Sequence, residues 1–468
     1  MNVLQRMLGA AVVCSMVMVG VAGDARAQDL TRVMPAQSRP IVLTNATVHT
    51  MDGKTIEGGV VWFDEGVIQG VMTGDEFRDL QTRVRWRSPG PELVDLGGLH
   101  VYPGLIGAST RLGLTEMAAI RASEDSREVG EITPEARAAT AVNPDSTLIP
   151  VTRPGGVLTV GVVPVGGLIA GRASVIRLHG WTMPDLIVEP VAGVVVNWPF
   201  MRVVRGTGDD RAEDGQARRI SEDLETLTRF FDAAAAYHRE RSKDPARAVD
   251  QRMESVRCLF ATEDEKDPQG RRLRRPVLVG AQDVEQITSA VAFFASRSID
   301  CVILGGRDAD LCATTLKTHN VPVILEGVHR LPKRADSAYD SAFTLPARLK
   351  EAGVRFAIAS GERTAHERNL PHHAGTAAAF GLDAEDALAA ITRWPAEILG
   401  VGDRLGSIGV GKAATLIVTD GSPLEITTRV LRAYIDGRAV DLSNKQDRLY
   451  EKYREKYIQR GDLPADAR

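Results

Sequence analysis

Aromatic residues make up only 5% of the 468 residues, too few to suggest a stacking platform for nucleobases or sugars. Neither sign of charge is in excess. The 57 Lys and Arg against 61 Asp and Glu leave a net charge of -4, which gives no electrostatic basis for binding nucleic acid or an anionic membrane. Cysteine is scarce as well, with four in the chain. Cys14 lies in an N-terminal apolar run, which leaves Cys258, Cys301 and Cys312. Three thiols make no disulfide framework, and no two stand at zinc-site spacing. The nine histidines include no His-x-His pair and no His-x-x-x-His pair, so no metal site is legible from histidine spacing.

What is present begins with a leader. Arg6 supplies a positive start, residues 8–21 are apolar, and Ala25-Arg26-Ala27 places small residues at the two positions that govern signal cleavage. The apolar run is short for a bilayer span. The expectation is a signal peptide over residues 1–27, cleavage near Ala27, and a periplasmic or secreted chain with no membrane span. A retained anchor is the alternative.

The chain as a whole is 44% hydrophobic and 25% charged, an ordinary globular balance. Residues 38–98 read as short strands separated by turn signals at Asp52-Gly53 and Asp64-Glu65-Gly66. Similar strands return over 404–442, with a turn at Asp436-Gly437. Neither set suffices alone, so pairing them predicts one small composite β-sandwich built from both chain ends.

Residues 99–403 carry a different rhythm. Continuous apolar runs at 101–106, 158–163, 193–196, 276–279, 301–304, 321–325 and 354–358 alternate with amphipathic stretches. That is the pattern of buried parallel strands in βα units. The fold class predicted is α/β, a (β/α)8 TIM-like barrel, with a doubly wound sheet as the alternative. Seven strands are clear. An eighth is sought within 200–275, which look helical and charged, while Val165–Arg172 reads as a tight glycine-rich barrel loop. Residues 443–468 form a charged tail in which Leu449, Tyr450, Tyr453 and Tyr457 share one helical face, predicting a helix docked by that face.

The segment Pro103-Gly104-Leu105-Ile106-Gly107-Ala108-Ser109-Thr110-Arg111-Leu112-Gly113 resembles the "PGLIDxHxHxG" frame of the amidohydrolase superfamily, in its imidazolonepropionase-like branch. Residues 381–400 and 403–416 resemble that family's closing segment, "GLxxxEALxAxTxNPAxxLGxxDRxGSxxxGKxADL". The resemblance covers nearly the whole chain beyond the leader. It implies a metal-dependent hydrolase of non-peptide C–N bonds that uses zinc or another divalent ion. Here Gly107 stands in the place of the family's aspartate, and Ser109 and Arg111 in the places of its two histidines. Where the family's later strands end in ligands, this chain has Asn197, Gln282, Gly305-Gly306-Arg307 and Ser360-Gly361-Glu362.

Arginine stays protonated and has no lone pair to offer a cation. Losing the set removes the means of lowering the pKa of a bound water. The expectation is therefore no metal and no cofactor, and a catalytically inactive, pseudoenzyme-like protein that binds a ligand or serves in assembly. Candidate ligand-binding residues are Ser109, Arg111, Asn197, Gln282 and Arg307. With Arg153 also expected near that rim, the arginines suggest a small anionic ligand. Internal pairing of Arg111 with Glu116, Glu326 or Glu362 is the competing account. The alternative function is a still-active C–N hydrolase with a rebuilt site, for which Glu326, His329 and Glu362 are the catalytic candidates. A homo-oligomer or an assembly with an active paralogue is the expected partner class.

Overall fold

The structure is a computed structural model that describes residues 32–202, 210–267, 270–361 and 363–464. The leader lies outside the described residues. Five strands come first: β1 (Ile41–His49), β2 (Thr55–Asp64), β3 (Val67–Thr73), β4 (Glu92–Asp95) and β5 (His100–Pro103). Eight follow: β6 (Leu105–Thr110), β7 (Val157–Val162), β8 (Ile169–Arg177), β9 (Ile187–Asn197), β10 (Val277–Ala281), β11 (Cys301–Gly305), β12 (Val323–Leu325) and β13 (Phe356–Ile358). The last three are β14 (Leu416–Thr419), β15 (Val430–Ile435) and β16 (Arg438–Ala439).

Strands from both chain ends unite in one sheet of order β16-β15-β14-β5-β1-β2-β3, with β4 also paired to β1. Two of the three turns expected from sequence close its hairpins as tight two-residue turns. Glu65 and Gly66 both have positive φ, as do Asp436 and Gly437, the condition for a two-residue turn whose twist matches the strands it joins. Leu43, Val61, Phe63, Ile68, Val101, Leu416 and Val418 fill the core of this part.

The single apolar run at 101–106 is divided at Gly104. Its first half, β5, pairs with β14 in the chain-end sheet, and its second half, β6, opens the barrel. The barrel order is β13-β12-β11-β10-β9-β8-β7-β6. The seam between β13 and β6 is bridged by the chain, as Ile106 N–H donates to Ile391 O at 2.8 Å and Ile358 N–H to Ala390 O at 2.9 Å. All neighbouring pairs are parallel except β7–β8 and β8–β9. The eighth strand is thus β8, antiparallel and immediately after β7, and not within 200–275 as expected from the sequence. The glycine-rich stretch is also not all loop, since Ile169 begins β8. Among the described residues, 200–275 instead hold the long helix α1 (Asp210–Lys243) and a short one at Gln251–Ser255.

Side-chain alternation separates the two faces of the barrel. Ile106, Ala108, Val195, Leu278, Val302, Leu304, Ile324 and Ala357 form the inner cluster. Val194, Val196, Val277, Val279, Ile303, Val323 and Ile358 lie outside, in the cluster that also holds Ile287, Ala290, Val291 and Phe294 of α2 (Val284–Ala295). The Asp283 carboxylate caps α2 by accepting from Gln286 N–H at 2.9 Å. Further round the barrel come α3 (Ser341–Glu351) and α4 (Leu370–Ala379). The tail does form a helix, α5 (Lys445–Gln459), but its aromatic face is not docked: Leu449, Tyr450, Tyr453 and Tyr457 are all exposed. No helix among the described residues is long and apolar enough to cross a membrane.

A cavity of about 1000 Å³ lies at the end of the barrel where the strands begin, beside Pro276, Cys301 and Arg355. Three of its cations are paired: Arg274 Nε with Asp300 at 2.6 Å, and Arg275 and Arg404 with the buried Glu189 at 3.1 and 3.3 Å. At this end of a barrel such a network reads as stability.

Candidate functional site

The strand ends at the opposite, carboxyl side of the barrel gather the residues singled out from sequence. Glu326 continues the inward series set by Ile324, and Gln282 that set by Leu278. The two meet across β11, with Gln282 Nε2 donating to Glu326 Oε2 at 2.9 Å. Gln282 Oε1 is buried without a partner, an acceptor open to a donor from elsewhere. Asn197, at the end of β9, uses its amide to hold the β7–β8 turn, donating to Gly166 O at 3.3 Å and Gly167 O at 2.8 Å. Ser109 and Arg111 are half-buried at the end of β6. Arg111 is engaged rather than free. The carboxylate of Glu116 accepts from Thr147 and that of Glu326 from Gln282. Glu362 lies outside the described residues.

Two further residues sit apart from this group. His329 turns onto α4, with Nε2 at 2.8 Å from Thr376 Oγ1 and its ring stacked on His373 at 4.1 Å. Burial, with His372 nearby, lowers its pKa. His373 is the buried partner: its Nδ1 accepts from Val328 N–H at 3.1 Å and lies 3.4 Å from His329 N. Burial and the neighbouring histidines drive its pKa down to about 3, so the ring is neutral and serves to fix the loop after β12. Arg153, expected at the rim, instead precedes β7 and is 2% exposed, where burial lowers its pKa to about 10 against the attraction of Asp441.

Sequence reasoning missed Glu367. It is fully buried in the short 3-10 turn Thr364–Asn369, and its carboxyl reaches the seam between β6 and β13. Ser360 Oγ donates to Oε2, while Oε1 has no hydrogen-bond partner. Burial raises the pKa to about 7, opposed by the hydroxyls of Ser360 and Thr110. A Cβ at position 107 would collide with Glu367 Oε1, so only glycine leaves room for this carboxyl. The register shifts between Gly107 and Thr110, which brings two residues three apart to the same carboxyl. The one sequence signal was a glycine where the family frame has an acid.

This donor set does not fit the divalent ion implied by the family. At the positions in question stand a hydroxyl, a guanidinium and two amides whose N–H groups donate inward. Among the described residues, no group of three or more His, Cys, Asp or Glu side chains is positioned to hold a metal ion. A catalytic zinc needs three such ligands.

Comparison with known proteins gives the scaffold a context. The model of the amidohydrolase family matches residues 298–443. Amidohydrolase tasK of Hapsidospora irregularis is 25% identical over 454 residues, covering 89% of this chain and 45% of its own length. The chain therefore spans under half of that relative. Among solved structures, an amidohydrolase from Thermotoga maritima MSB8 superposes with a TM-score of 0.71 at 24% identity, over 86% of this chain and 99% of that one. An uncharacterized protein aligns with a TM-score of 0.50 at 17% identity, over 86% and 99%. These structural likenesses concern the fold.

Proposed function

The chain belongs to the amidohydrolase superfamily, and from that premise we propose that it has given up metal-dependent hydrolysis and binds a small anionic ligand at the barrel mouth. One observation carries this reading: Ser109, Arg111 and Gln282 stand where the resemblance implies ligands, with Asn197 near another such place, and Asn197 and Gln282 spend their donors on the protein itself. A guanidinium in a ligand's place repels a cation and attracts a carboxylate or phosphate. The leader, with Arg6, the apolar residues 8–21 and Ala25-Arg26-Ala27, supports export to the periplasm or beyond, and N-terminal sequencing of the mature chain should begin near Gln28.

Elemental analysis of the purified chain, before and after incubation with zinc and dialysis, tests the main reading. Far less than stoichiometric zinc is expected in both samples. Tightly held stoichiometric zinc would overturn it. A second reading, hydrolysis of C–N bonds by a rebuilt site, draws on Glu367, whose pKa near neutrality suits proton transfer. Turnover of amide substrates by zinc-free protein, abolished in Glu367→Gln, would establish that reading in place of the first.

A further inference from the structure

Beside the mouth, the segments after β11 and β12 enclose a pocket of about 210 Å³. Its lining includes Arg307, Arg330, Lys333, Arg334 and Arg348 against Asp308 and Asp310, so five cations face two carboxylates. In a protein of net charge -4, a surplus of three positive charges around so small a space is a local anomaly. Part of the charge is committed to building the wall. Asp308, 4% exposed, is held by Lys333 Nζ at 2.7 Å and by both terminal nitrogens of Arg334, at 2.7 and 3.1 Å. Arg348 Nε donates to Asp310 at 3.0 Å.

Arg330 and Arg307 take no part in this wall, and Arg330 is the more buried of the two. Its Nη1 is buried with no hydrogen-bond partner, although Glu326 and Asp308 lie within electrostatic reach. Burial and the nearby Arg307 lower its pKa to about 10, the mark of a desolvated cation beside another cation. A buried guanidinium with an idle donor is costly unless an acceptor arrives. The exposed Leu311 and Leu331, 66% and 85% accessible, flank the opening and offer apolar contact to whatever carries the anion.

We propose that this pocket binds a phosphoryl group, as a phosphate monoester or as free phosphate, between the guanidiniums of Arg330 and Arg307. The dianion supplies acceptors to both guanidiniums and neutralises most of the surplus charge. Glu326, on the mouth side, sets the limit of the site by repelling a second negative group. The assignment deepens the ligand-binding reading above by giving the anion a chemical class and a place.

The test is thermal unfolding of the full chain with increasing inorganic phosphate at constant ionic strength. Chloride, malonate and glycerol phosphate run in parallel. A saturable rise in Tm with phosphate and glycerol phosphate, absent with chloride, is expected. Arg330→Gln should weaken the apparent affinity at least about tenfold, and the exposed Arg307→Gln by several-fold. A stronger response to glycerol phosphate identifies the monoester as the occupant, and an equal response identifies free phosphate. No saturable response, a response that both variants retain, or one given by malonate alone would overturn the assignment. Should Arg330→Gln fail to fold, Arg307→Gln carries the test. Zinc-free protein that ignores phosphate refutes the pocket alone, whereas stoichiometric zinc refutes the reading it rests on.

Discussion

Replacing Glu367 with glutamine should change the pH dependence of stability more than stability itself. The carboxyl's pKa rises from 4.5 to about 7 in the folded chain because burial disfavours its charge. Between these values the folded protein keeps a proton that the unfolded chain has lost. The stability contributed by Glu367 is therefore complete below about pH 4.5 and lost as pH rises through 7, by roughly 3 kcal/mol in total. Glutamine is neutral throughout and can still accept from Ser360. His49 and His179, whose pKa values burial lowers to about 4, and His373 at about 3 produce the opposite slope on the acid side. Since they are present in both proteins, they cancel in the difference. Urea unfolding from pH 4.5 to 8.5 should show the advantage of Glu367→Gln over wild type growing by about 3 kcal/mol, with most of the growth between pH 5 and 7.5. A difference constant across that range would refute the argument, because it would mean that the buried carboxyl ionises as easily as an exposed one.

Gly107→Ala places a methyl group against Glu367 Oε1 and should cost about 1–3 kcal/mol in urea unfolding. Adding Glu367→Ala should recover part of that loss, and strict additivity of the two changes would show that they do not meet. At the other end of the barrel, Glu189→Gln leaves Arg275 and Arg404 around a neutral amide, with an expected loss of about 3–5 kcal/mol by the same measurement. His373→Ala removes the acceptor of the Val328 N–H and should cost about 1–3 kcal/mol, while His372→Ala should stay within about 0.5 kcal/mol.

Seven of the eight barrel strands were legible because each is apolar on both faces, one against the barrel interior and one against helices, and so reads as an unbroken run. β8 was missed for a physical reason: Gly171, Arg172 and Ser174 interrupt its run, and the Gly166-Gly167 turn before it looks like loop punctuation. A hairpin return needs no crossover helix, so the βα rhythm gave no warning of it. The hairpin turns Glu65-Gly66 and Asp436-Gly437 were legible from local chemistry alone. The aromatic stripe on α5 gave the helix correctly but not its docking, since a periodic face says what could be buried and not whether anything covers it.

The site was legible as a set of absences and much less so as a set of contacts. Ser109, Arg111, Asn197 and Gln282 could be named because they stand at or near strand ends where the resemblance implies ligands, and register there determines direction. Glu367 could not, because its turn has no periodicity and its carboxyl crosses the seam to a strand more than two hundred residues away in sequence. Yet the two observations bear on each other. The family frame has an acid at 107; this chain has a glycine there, and the hole left by the missing side chain holds the carboxyl of Glu367. A carboxyl thus still occupies the place, delivered from the opposite side of the seam and desolvated there. Its raised pKa follows from that desolvation, since a buried acid must either find a positive partner or keep its proton. The orphaned Oε1 beside it indicates the second course.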